Sequence, residues 1–107
     1  MYIKINNKKL EIIELTTFWQ RFKSLKFALE PITTGIKLPH KKYADTYLFC
    51  QRVDIVMTDK DNNILYLYKN VKTEKRILFK RKVYNVYYLP LNTVDNLEVN
   101  TRLKEYK

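Results

Sequence analysis

Seven of the fourteen residues from Lys69 to Lys82 are basic: Lys69, Lys72, Lys75, Arg76, Lys80, Arg81 and Lys82. Only Glu74 opposes them, so this stretch supplies six of the chain's ten net positive charges. Ammonium and guanidinium groups at this density attract anions and give charge-assisted hydrogen bonds to anionic oxygens. Tyr66 and Tyr68 precede the stretch, and Tyr84, Tyr87 and Tyr88 follow it. Tyrosines on a sheet are ordinary half-buried residues, but beside cations they are also the material of base-stacking surfaces. The expected partner is nucleic acid met through its phosphates, or an acidic protein surface. No zinc-finger, KH-type or RNP-type signature accompanies the charges. Phosphate contact of this kind carries little sequence specificity.

Asp54 is the other residue that stands out, a carboxylate between Val53 and Ile55 in an apolar run. A carboxylate in such a place needs a partner, and Arg52 or a cation of the basic stretch is the expected one. The competing reading makes Asp54 the centre of a small ligand-binding or hydrolytic pocket, with a perturbed pKa. His40, the one histidine, follows Pro39 and precedes Lys41 and Lys42, a setting that reads as exposed loop. A nucleophile elbow or a phosphate-cradling loop needs several glycines, and the chain has one. Asp59, Asp61, Asn62 and Asn63 lack the glycine and distal glutamate of a calcium loop and read as a hairpin turn. Cys50 stands alone, so neither an intrachain disulfide nor a cysteine metal site can form, and a buried thiol is its default. No motif calls for a cofactor or a metal, and the expectation is a binding module without catalytic activity.

These residues need a scaffold, and 107 residues, 46% of them apolar, are enough for one domain with a core of its own. No window is apolar for long enough to span a membrane, and residues 1–15 alternate charged and apolar types instead of forming a signal-peptide core. A cytoplasmic location fits both facts. With so little glycine, tight turns must draw their positive φ from asparagine and aspartate, as at Asn6-Asn7 and Asn62-Asn63.

The order of elements follows from periodicity. Met1, Ile3 and Ile5 alternate with polar residues and read as a strand that returns over Leu10 to Ile13. Thr17 and Gln20 form a capping box ahead of Phe18, Phe22, Leu25 and Leu29 at helical spacing, and Glu30-Pro31 ends that helix. Gly35 reads as a turn before a short strand. Val53 to Thr58, Ile64 to Tyr68 and Val83 to Leu89 read as strands, Thr93 to Leu97 as a helical turn, and Thr101 to Tyr106 as an edge strand. The expected fold is a compact single α+β domain over residues 1–107. Its sheet is mainly antiparallel, with barrel-like closure as one form open to it, and its main helix lies near the N-terminus.

Several landmarks fall in an order that resembles the bacterial and archaeal domain-of-unknown-function family 192. Arg21 and Ser24-Leu25 sit where that family's first helix carries an arginine and a small-Leu pair. Val53-Asp54-Ile55-Val56-Met57-Thr58-Asp59 matches its aspartate-bearing strand. Leu89-Pro90-Leu91-Asn92 and Asn100-Thr101 stand at its closing turns. The resemblance spans about Leu10 to Leu103 and implies a compact mixed domain. It implies no activity.

The capping box yields a first prediction. Thr17→Ala should lower stability by about 1 kcal/mol, because the Thr17 hydroxyl would otherwise accept from an unpaired amide of the first turn. A thermal melt unchanged by the substitution would mean that no helix starts there.

Overall fold

The computed structural model describes residues 2–5, 8–14, 34–46, 51–78 and 80–106. Through them run β1 (Tyr2–Ile5), β2 (Lys8–Glu14), β3 (Gly35–Pro39), β4 (Ala44–Asp45), β5 (Val53–Thr58), β6 (Ile64–Val71), β7 (Arg76–Ile77), β8 (Asn85–Leu89) and β9 (Glu105–Tyr106). A 3-10 turn, Thr93–Asn96, lies between the last two.

Every residue of β5 and of β8 is buried. Successive side chains on a strand point to opposite faces, so each of these strands feeds two cores. Val53, Ile55 and Met57 pack with Val86 and Tyr88 on one side of the sheet. Val56 packs with Tyr87 and Leu89 on the other, where Ile3, Ile12 and Leu103 join them. Each fully buried aliphatic side chain contributes roughly 1.5–3 kcal/mol.

The described strands form a seven-stranded sheet in the order β6, β5, β8, β3, β2, β1, β9, beside a two-stranded ribbon of β4 and β7. Neighbours in the large sheet are antiparallel except β2 and β3, where Ile13 stands opposite Ile36 in a parallel pair. Parallel neighbours need a long connection, and residues 15–34 provide its length. Gly35 opens β3 and serves packing, not a turn. A Cβ there would lie 2.5 Å from Ile12 Cδ1 and 2.7 Å from Leu89 Cδ2.

This architecture corrects the α+β expectation. The described residues are mostly strand, they include no helix of seven or more residues, and their sheet is open and mixed. The helix expected after Thr17 lies outside the described residues, as does Cys50. Most pairings are antiparallel, as the patterning implies, but the parallel β2–β3 pair departs from it, because local patterning identifies strands without ordering them. β3 enters between β2 and β8, and β8 between β3 and β5, pairings that join distant parts of the chain. Among the described residues the sheet stays open, ending on β6 and β9. Residues 100–103 instead run along the start of β6, with Ile64 donating to the Thr101 carbonyl and Leu103 to the Asn62 carbonyl, both at 2.8 Å.

Asparagine takes glycine's place in the turns. Asn62, Asn70, Asn92 and Asn100 all have positive φ. Asn70 sits where the register slips between the Val53–Val71 and Ile55–Tyr68 pairs, a β-bulge. Its N–H donates to Asp54 Oδ1 at 2.8 Å, and the N–H of Val94 donates to Asp54 Oδ2 at 3.1 Å. Asp54 is fully buried. Its partners are therefore two main-chain amides, one in the bulge and one in the 3-10 turn, whereas Arg52 is exposed.

Asp54→Asn keeps one acceptor oxygen and loses the other, so it should cost roughly 1–3 kcal/mol, and Asp54→Ala should cost more. Urea unfolding measures both. An Asp54→Ala protein as stable as the parent would show that the clamp carries no weight.

Candidate functional site

Main-chain hydrogen bonds hold the basic stretch in place. After the bulge, the loop from Lys72 to Lys75 folds back on Thr46, which is fully buried. The Thr46 hydroxyl donates to the Lys72 carbonyl at 2.6 Å and accepts from the Lys75 N–H at 2.9 Å. The Thr46 N–H donates to the Lys75 carbonyl at 2.8 Å. Arg76 and Ile77 then pair with Asp45 and Ala44. Lys42 ties the next turn from the side, its ammonium donating to the carbonyls of Arg81 at 2.9 Å and Val83 at 2.8 Å.

The seven cations do not form one patch. Lys72, Lys75, Arg76, Arg81 and Lys82 are exposed. Lys80 is half-buried, with its ammonium 5.4 Å from the ring centre of Tyr66, a cation–π contact. Tyr66 is exposed and stacks along the strand on Tyr68. Lys69 belongs elsewhere. Its ammonium meets Asp95 at 2.6 Å beside the 3-10 turn, and the Asp95 carboxylate raises the lysine's pKa. Of the flanking tyrosines, Tyr87 and Tyr88 are fully buried and offer no ring to a ligand. Tyr84 is half-buried, with its hydroxyl 3.2 Å from His40 Nε2.

A second feature had no counterpart in the sequence reading. A cleft of about 630 Å³ is lined by Lys37, Asn62, Asn85 and Glu105 among others. Asp54 is not among its lining residues. Three donors converge on Glu105 Oε1: the Lys37 ammonium at 2.7 Å, the Asn62 side-chain amide at 3.1 Å and the Tyr87 hydroxyl. Asn85 Nδ2 lies 3.2 Å from Asn62 Oδ1, which ties β8 to the β5–β6 turn. Residues 37, 62, 87 and 105 meet only through the fold. The one local signal was a charge between apolar neighbours, at Ile36-Lys37-Leu38, and any solvated strand shows that.

The environment sets the charges in this network. Burial alone would raise the Glu105 pKa, but hydrogen bonds from Lys37, Tyr87 and Asn62 outweigh it and hold the carboxyl below its usual range. Burial, then the Glu105 hydrogen bond and charge, push the Tyr87 phenol well above its ordinary 10.0. Tyr87 is thus a neutral donor to a fixed carboxylate. The arrangement braces β3, β8, β9 and the Asn62 turn.

No family model matches the chain, and no curated protein matches it. Solved structures do. The fold is similar to that of a protein of unknown function from Novosphingobium aromaticivorans, with a TM-score of 0.76 at 11% identity over 97% of this chain and 82% of that one. It is also similar to a candidate transcription regulator from Sinorhizobium meliloti, with a TM-score of 0.75 at 16% identity over 96% and 89%. At such identities the likeness is one of fold. The resemblance to family 192 rests on the quoted residues alone. Among the described residues no helix is long and apolar enough to cross a membrane.

The Glu105 network gives stability a pH dependence with two limbs. A carboxyl whose folded pKa is depressed stabilises fully above its unfolded value, and that stability is lost as pH falls through the folded one. A phenol whose folded pKa is raised stabilises fully below its unfolded value of 10.0, and that stability is lost as pH rises beyond it. Urea unfolding across pH should therefore show a shallower acid limb in Glu105→Gln and a shallower alkaline limb in Tyr87→Phe. Part of the acid limb should remain, because Asp59, which burial alone would raise, is also held low by hydrogen bonds from Asn63. Unchanged limbs would rule the network out as their source.

Proposed function

We propose that this chain is a basic binding module, without catalytic activity, that contacts nucleic acid through phosphates. The contact surface runs from Lys72 through Arg76 to Lys80, Arg81 and Lys82. One observation carries the reading: these cations, exposed apart from the half-buried Lys80, stand on a backbone held by Thr46 and Lys42, next to the exposed ring of Tyr66. A held backbone loses less freedom on binding than a free loop would. Lys80 is already poised over an aromatic face, and cations beside aromatic rings suit a polyanion whose bases can stack. The fold shared with a candidate transcription regulator points the same way. Lys69, engaged with Asp95, is assigned a lesser part.

Reversing Lys80, Arg81 and Lys82 to glutamate should weaken binding of labelled DNA or RNA while the fold survives. It should also flatten the salt dependence, since each phosphate contact adds about 0.9 to the slope of log affinity against log salt on duplex DNA and about 0.7 on single strands. Native protein that shifts no labelled nucleic acid at micromolar concentration in about 50 mM salt would overturn the reading. A nuclease-resistant complex with an acidic protein would replace it with an accessory role.

A further inference from the structure

A second basic and aromatic surface lies on strands that the charge count of the sequence passes over. From Arg102 onward the chain alternates: Arg102, Lys104 and Tyr106 are exposed, while Leu103 is buried and Glu105 half-buried. Leu103 joins the core and Glu105 the network, so the other three residues are left facing solvent. β9 then pairs with β1, which sets Tyr106 opposite Tyr2. The two rings stack with centres 5.4 Å apart and planes 18° from parallel. Lys4 stands with its ammonium 5.2 Å from the centre of Tyr106, and Lys9 stands 4.8 Å from Tyr2. Lys4 and Lys9 thus flank a stacked tyrosine pair, with Glu11 opposite Tyr2 across β1 and β2, and Arg102 and Lys104 are exposed on the run leading to Tyr106. Arg102, Lys104 and Tyr106 also form part of the cleft's lining.

We propose that the Tyr2–Tyr106 pair is a base-stacking platform for single-stranded nucleic acid, with Lys4, Lys9, Arg102 and Lys104 contacting the phosphates. The proposal rests on the nucleic-acid reading above and narrows it to single strands. Charge complementarity selects a polyanion, and the exposed ring of Tyr106 beside the half-buried Tyr2 selects one with free aromatic faces. A duplex keeps its base faces inside the stack and cannot use the platform. An exposed cation–π contact is weaker than a base stacked on an aromatic ring. An incoming base therefore displaces an ammonium from its ring, and the ammonium moves to the adjoining phosphate.

The test uses the full chain, a labelled oligothymidylate of about ten nucleotides and a labelled duplex of the same length. Tyr106→Ala should weaken oligothymidylate binding roughly tenfold with the salt slope unchanged, because stacking releases no counterions. Tyr106→Phe, which keeps the ring, should bind like the native protein. Arg102→Gln should lower the single-strand slope by about 0.7. Duplex binding should be untouched by Tyr106→Ala. Native protein that binds the oligothymidylate, with Tyr106→Ala binding equally well, would overturn the platform and leave the basic-segment reading standing. Equal loss on single strand and duplex would also overturn the platform. Native protein that binds neither probe would sink both.

Discussion

Asp54 is the one charged residue in β5, a strand with no solvent-facing side, and its burial organises one end of the sheet. Leaving a carboxylate unpaired in such a place would cost several kcal/mol. Its two oxygens are met by main-chain amides that would themselves lack partners, one in the bulge at Asn70 and one in the turn at Val94. The bulge bends the end of β6, and the turn is drawn against the same strand. Beyond the bulge come Val71 and the loop from Lys72, so the start of the basic segment is placed by an anion inside the protein. Carboxylate and amides satisfy one another, and removing either side leaves a buried polar group unmet.

The cations divide by what surrounds them. Lys37, mostly buried, is bonded to Glu105, and its charge is spent on holding β3 to β9. Lys42 donates to two carbonyls of the turn at Arg81–Val83, a use of lysine as a clip for backbone. Lys69 and Asp95 meet near the surface, where such a pair adds little to stability. Lys72, Lys75, Arg76, Arg81 and Lys82 are exposed, with no such side-chain bond among the described residues. A net charge of +10 on 107 residues opposes compaction, so the domain carries these groups at a small electrostatic cost.

What was legible in the sequence was mostly local. Val53 to Thr58, Ile64 to Tyr68 and the run ending at Leu89 announced themselves as strands, because alternation and β-branching act within a few residues. Asn62 announced its turn, because a chain short of glycine has few other ways to reach positive φ. Asp54 announced that it needed partners but not which ones, since main-chain amides leave no mark in a sequence. The parallel pairing of β2 with β3 and the meeting of residues 37, 62, 87 and 105 were hidden, because both depend on which strand lies beside which. The tyrosine pair was hidden for the same reason. Tyr2 and Tyr106 stand at opposite ends of the chain and become neighbours only when β9 adds to β1.

The two basic surfaces differ in the information they could carry. A main-chain-stapled row of lysines and arginines meets phosphates, and phosphates are the same in every sequence, so it fixes position and strength of binding without choosing among sequences. An aromatic pair meets bases, yet every base has a π-face, so stacking discriminates strand state far better than sequence. The groups that do read sequence are amides, carboxylates and guanidinium forks aimed at base edges. In this domain three groups of that class, Asn62, Asn85 and Glu105, are bonded to one another and to Lys37 and Tyr87 within the cleft. Sequence reading there would require breaking the network that braces β3, β8 and β9. On the proposed reading, this surface chemistry suits a binder of nucleic-acid form better than a reader of nucleic-acid sequence.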